Sequence, residues 1–103
     1  MKVIQQKIKQ FVEKYNLKTK PELRMLDVIS EAGEVSKEIL KMTQYGRQKA
    51  TYRKEIELEI ADLLFSVVCL ATHYNIDVEK AIETILKKYE ERLQKCTIGS
   101  EVD

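Results

Sequence analysis

A chain of 103 residues has room for one small core, and 18 basic against 17 acidic residues leave no field that would draw nucleic acid or an anionic membrane. With 34% charged residues, 3 glycines and 1 proline, the composition favours a compact helical domain over a β-rich one. No apolar run reaches the length of a membrane span, the opening MKVIQQKIKQ reads as too polar for a signal peptide, and Cys69 and Cys96 are far apart, so a reducing cytoplasm is the expected setting.

Residues 2–16 place apolar groups at Val3, Ile4, Ile8, Phe11, Val12 and Tyr15, the spacing of a helix with one apolar face. A turn follows over Asn16 to Lys20. Thr19 and Glu22 have the form of a capping box, with Pro21 in the first helical turn, where its missing N–H is tolerated. The second helix is expected from about Pro21 to Met42. Its residues Met25, Val28, Ala32, Val35, Ile39 and Met42 alternate steps of four and three, a seam for neighbouring helices. Asp27, Glu31, Glu34 and Glu38 form an acidic stripe beside that seam. Gly33, in the helix interior, costs about 1 kcal/mol relative to Ala. It stands there either for close approach of a helix or ligand, or through simple tolerance.

Residues 43–52 read as a loop, with Gly46 as the expected helix stop and Arg47 and Lys49 exposed. Arg53 and Lys54 follow. The third helix is expected over Glu55 to Tyr74. EIELEIAD alternates like a strand, but the apolar run behind it is too long for one. From Ile60 to Ala71 almost every residue is apolar or small, which predicts a central helix covered on both sides, with Cys69 as a small buried hydrophobe. Asn75 to Asp77 make a short connection, Asp77 serving as N-cap. Val78, Ala81, Ile82, Ile85, Leu86, Tyr89 and Leu93 then define a fourth helix. The whole predicts an all-α fold, a four-helix antiparallel bundle over residues 1–96, and a polar tail over 97–103.

The chemistry lies in two acid-x-x-acid steps, Glu31 to Glu34 and Glu59 to Asp62. Residues three apart are neighbours on one helix face. If the second and third helices are antiparallel neighbours, their middles bring four carboxylates together. Such a cluster repels itself unless a cation sits within it. An all-oxygen set suits Mg²⁺ or Mn²⁺ over zinc or copper. The plainer alternative is a solvated acidic face with Lys37 and Lys41 beside it. A di-iron bundle is excluded by pattern: it needs Glu-x-x-His steps, and Leu70 stands three residues before the single histidine, His73.

EAGE at 31–34 and EIAD at 59–62, with 24 residues between, resemble the ExxE and ExxD signature of the MazG-type, all-α nucleoside triphosphate pyrophosphohydrolases. SEAGEVSKEI and EIADLLFSVVCLATHYNID extend the resemblance, which covers roughly residues 22 to 92. It implies a four-helix protomer that dimerises, sometimes further, and Mg²⁺-dependent cleavage of the α–β bond of a nucleotide triphosphate. It implies Glu31, Glu34, Glu59 and Asp62 as metal ligands, with a nearby glutamate, Glu34 or Glu38, orienting or deprotonating the attacking water. The first of the family's paired glutamates is Ser30 here. Ile85 and Tyr89 stand where many members carry Lys and Asn, leaving Lys87, Lys88 and Arg92 as candidate phosphate-binding residues.

The sequence therefore predicts a Mg²⁺-dependent nucleotide pyrophosphohydrolase with a nucleotide triphosphate substrate and no nucleic-acid or membrane partner. The surplus of apolar faces predicts a homodimer or homotetramer with the site near the subunit boundary. Two other readings stay open: a phosphoribosyl-ATP pyrophosphohydrolase, and a catalytically silent helical interaction module. Phe11 and Tyr15 could stack on a base, but their spacing makes them core residues first.

Overall fold

The computed structural model describes residues 1–99, with side chains through Lys95. Its elements are α1 (Lys2–Lys14), α2 (Pro21–Met42), α3 (Ile56–His73) and α4 (Val78–Gly99), with no strand among the described residues. The all-α, four-helix fold is the expected one. The anticipated tail begins within α4, which runs on to Gly99, and residues 100–103 lie outside the described residues.

Helix α3 is the element on which α1 and α2 are laid. Glu38, late in α2, meets Arg53 just ahead of α3, while Glu31 meets Glu59 and Asp62, and the charge of Arg24 reaches Cys69. Partners that rise along α2 fall along α3, so the pair is antiparallel. Helix α1 is antiparallel to α3 by the same test. Phe11 packs edge-on to Phe65 at 6.3 Å, and Gln5 Nε2 donates to Thr72 Oγ1 at 3.1 Å. Gln5 also donates to the Ile76 carbonyl at 2.8 Å and accepts the Val78 N–H at 3.0 Å. One amide thus ties α1 to the end of α3 and the start of α4.

The face of α2 turned inward is not the predicted apolar seam. Arg24, Val28, Glu31, Val35, Glu38 and Met42 are buried or half-buried, in steps of four and three. Met25, Ala32 and Ile39, half of the expected seam, are exposed. Packing falls along the border between apolar seam and acidic stripe. Val28, Val35 and Met42 supply the apolar contacts, and Glu38 is carried inside by its partner Arg53.

Helix ends follow local chemistry. With Pro21 as the first helical residue, Lys20 becomes the N-cap, in extended conformation and without a side-chain hydrogen bond. This corrects the capping box: Thr19 lies one residue too early. Thr43 caps the end of α2, and Gly46 is the last of three left-handed residues after Gln44 and Tyr45, not the stop itself. Thr43 Oγ1 accepts the Gly46 N–H at 3.0 Å. Asn16 and Asn75 take left-handed conformations after α1 and α3, as asparagine does more readily than most residues. Asp77 caps α4 as expected, its Oδ1 accepting the Lys80 N–H at 3.1 Å.

Among the described residues only Val12, Ile56 and Val68 are buried hydrophobes, and of these Val68 alone is fully enclosed. The radius of gyration is 17.5 Å, against about 13 Å for a compact domain of this length. The excess comes from α4, which packs chiefly on α1 and is exposed at every residue from Glu79 to Lys95. Helix α3 is not covered all round either: Leu58, Ile60, Leu64 and Val67 face outward. Phe11 and Tyr15, expected in the core, are each about half exposed.

A Cβ at Gly33 would meet nothing within 4 Å in the protomer. Gly33→Ala should therefore raise thermal stability by up to about 1 kcal/mol through helix propensity alone. Thermal melts of the two proteins check this, and a lowered melting temperature would mean that another molecule packs on Gly33.

Candidate metal centre

Carboxylate oxygens of Glu31, Glu59 and Asp62 lie within 4.8 Å of one another. Glu31 comes from the inner face of α2, and Glu59 and Asp62 come from the first turns of α3, three residues apart on one side. Glu31 and Glu59 are half-buried and Asp62 is exposed, so the cluster opens to solvent. Among the described residues no ion pair reaches these three acids or Glu34.

The electrostatic cost shows at Glu31. Burial raises its carboxyl above the ordinary 4.5, and the charges of Asp62, Glu59, Glu34 and Asp27 raise it further. A raised carboxyl binds its proton more tightly in the folded state. Without a cation, the Glu31 contribution to stability therefore declines as pH rises through 4.5 and above. Glu38 has the opposite sign. Its hydrogen bond and ion pair with Arg53 hold it below 4.5. Its contribution is complete above that value and is lost as pH falls through its lowered range.

The donor set fits a hard divalent cation. Oxygens on opposite sides of a Mg²⁺ ion stand about 4.2 Å apart, from a Mg–O distance of about 2.1 Å. The three oxygens, within 4.8 Å of one another, are gathered on that scale. No thiolate or imidazole takes part. His73 is exposed at the end of α3, edge-on to Tyr74 at 4.9 Å. Cys69 is half-buried near Arg24, and burial raises its thiol above 9.0.

The other sequence candidates fall in different places. Glu34 is exposed and outside the trio, yet near enough for its charge to act on Glu31. Glu38 is turned away from the cluster into a buried ion pair, with Arg53 Nε at 2.6 Å and Lys41 Nζ at 3.6 Å. Lys87, Lys88 and Arg92 are exposed on the part of α4 that stands clear of α2 and α3, and Arg92 lies over the Tyr89 ring at 5.6 Å. The protomer brings none of the three to the acids. A cleft of about 390 Å³ opens between α1, the start of α2 and the end of α3, lined by Ile8, Val12, Arg24 and Cys69 among others. It lies at the other end of α3, and none of the four acids lines it. Sequence reasoning missed Arg53 and Gln5, because both act across the fold and no local spacing marks them.

Residues 19–97 match the MazG nucleotide pyrophosphohydrolase domain. The chain belongs to that family and is an enzyme of the pyrophosphohydrolase class. The uncharacterised protein YpjD of Bacillus subtilis (strain 168) is 36% identical over 88 residues, covering 82% of this chain and 75% of that protein. The crystal structure of B. subtilis YpjD, described there as a candidate pyrophosphatase, superposes with a TM-score of 0.72 at 31% identity. That match spans 86% of this chain and 91% of the solved one. No helix among the described residues is long and apolar enough to cross a membrane.

Glu31→Gln removes one of the repelling charges and keeps the side chain's shape. In metal-free buffer at neutral pH it should melt at a higher temperature than the parent. A lower melting temperature would show that Glu31 is already compensated.

Proposed function

We propose that the chain hydrolyses nucleoside or deoxynucleoside triphosphates at the α–β bond, with Mg²⁺ or Mn²⁺ held by Glu31, Glu59 and Asp62 and with Glu34 beside them. The observation that carries the reading is the convergence of three carboxylate oxygens within 4.8 Å from two antiparallel helices. Bound there, the cation supplies charge neutralisation for the phosphate chain.

The chain's own residues do the rest. Glu31, Glu59 and Asp62 fix where the phosphates lie. Glu34 is exposed one turn along α2 from Glu31 and has no hydrogen-bond or ion-pair partner among the described residues. It is the carboxylate free to orient water and take its proton. Glu38 is a poor candidate for that work, since Arg53 and Lys41 already engage its two oxygens. The sequence holds no GxxxxGK[ST] loop to cradle a terminal phosphate. Attack on the phosphorus nearest the sugar, with pyrophosphate leaving, is the course that the match to a nucleotide pyrophosphohydrolase domain supports.

The protein works as a homodimer or homotetramer with its sites near the subunit boundary. The supporting observation is α4, whose stripe of Ile82, Ile85, Leu86, Tyr89 and Leu93 is 40–59% exposed in the protomer. A second copy covering this stripe accounts for Ile85 and Tyr89 where many relatives carry Lys and Asn. It also gives Lys87, Lys88 and Arg92 a route to phosphates held by another protomer's acids.

Asp62→Asn should abolish pyrophosphate release while helix content by circular dichroism is unchanged, and Mg²⁺ should no longer raise its melting temperature. Unaltered turnover would remove Asp62 from the site. In ¹⁸O-water the label should appear in the nucleoside monophosphate, as read by phosphorus NMR, with pyrophosphate unlabelled. A parent protein that binds no divalent cation would leave the helical interaction module as the better reading. Light scattering at micromolar concentration should give the mass of a dimer or tetramer, and a monomer would overturn the assembly.

A further inference from the structure

We propose that Glu38 and Arg53 form a positioning clamp that sets the register of α3 along α2, and through it the spacing of the three carboxylates. The proposal rests on the metal-site reading given above.

Glu38 is 6% exposed, one of two buried polar residues among those described. Arg53 Nε donates to its Oε1 at 2.6 Å, while Lys41 Nζ stands 3.6 Å from its Oε2. Both oxygens of one buried carboxylate are thus occupied by cations. Glu38 lies seven residues beyond Glu31, two helical turns along the same inward face of α2. Arg53 lies six residues ahead of Glu59. The clamp therefore sits on the same strip as the acids, where the chain enters α3.

Something must hold that strip closed. Glu31, Glu59 and Asp62 repel across the α2–α3 contact, and the neighbouring inward apolar residues, Val35 and Met42, are only half-buried. Apolar packing is non-directional and tolerates axial sliding, whereas a charge-assisted hydrogen bond fixes a distance and an angle. The loop presents Arg53 firmly. Thr51 N–H donates to the Met42 carbonyl at 2.9 Å, Tyr52 Oη donates to Glu57 Oε2 at 2.8 Å, and Ile56 is buried just after. Anchors lie on both sides of the arginine, so its guanidinium locks the end of α2 to the beginning of α3. Glu38 touches no substrate in this scheme and is a positioning residue.

The test compares the parent with Glu38→Gln, Arg53→Gln, the double variant and Arg53→Lys. The first readout needs no metal. Spin labels at Lys37→Cys and Leu58→Cys, in a Cys69→Ser/Cys96→Ser background diluted with unlabelled protein, report the α2–α3 distance by electron–electron double resonance. The second is Mn²⁺ affinity from the electron paramagnetic resonance of free Mn²⁺, measured on unlabelled proteins. Each Gln variant should broaden and shift the distance distribution and weaken Mn²⁺ binding roughly tenfold. The double variant should be no worse than the weaker single, and Arg53→Lys should recover most of both. Arg53→Lys keeps the charge and serves if the Gln variants do not fold. Distances unchanged in folded Gln variants overturn the clamp, as do shifted distances with parental Mn²⁺ affinity. A parent that binds no Mn²⁺ overturns the metal-site reading instead, and the distances alone then decide the clamp.

Discussion

Three carboxylates held within 4.8 Å, with no cationic side chain among them, are the constraint on which this structure depends. Glu31 bears its consequence, a proton affinity raised first by burial and then by four neighbouring acids. A fold keeps such an arrangement only if other contacts offset the repulsion. Here such a contact is Arg53 on Glu38, at the end of the α2–α3 pair where the chain enters α3. Arg53 and Lys41 are engaged by Glu38, and the acid cluster opens to solvent through Asp62.

Much of this was legible in the sequence because it is local. Periodicity gave four helices, and the steps from Glu31 to Glu34 and from Glu59 to Asp62 put carboxylates on definable faces. The antiparallel meeting of Glu31 with Glu59 and Asp62 followed from α2 and α3 being consecutive helices. What escaped was relational. A seam of Met25, Val28, Ala32, Val35, Ile39 and Met42 looks complete on a helical wheel, yet half of it is exposed. The packing face includes Glu38, whose partner Arg53 comes from outside α2. Glu38 is a further case: spacing placed it beside Glu34, and only the fold showed its ion pair with Arg53.

The basic residues show where local reading ends. Lys87, Lys88 and Arg92 are on a helix that the protomer leaves standing clear of α2 and α3. Their part in phosphate chemistry belongs to the assembly proposed above, not to any spacing within α4. The core is thin as well: among the described residues Val12, Ile56 and Val68 are the buried hydrophobes, while 24 large hydrophobes are exposed.

The free-standing α4 also has a consequence in time. Helices α1 to α3 gather their contacts within one molecule, and neighbouring helices of this kind form in microseconds to milliseconds. Among the described residues, helix α4 finds little surface to bury against. In the assembly proposed above, a second copy must reach its apolar stripe by diffusion, which would make the last step of folding a bimolecular encounter. Its rate would then scale with concentration, and newly made chains at low abundance would spend longest with that stripe uncovered.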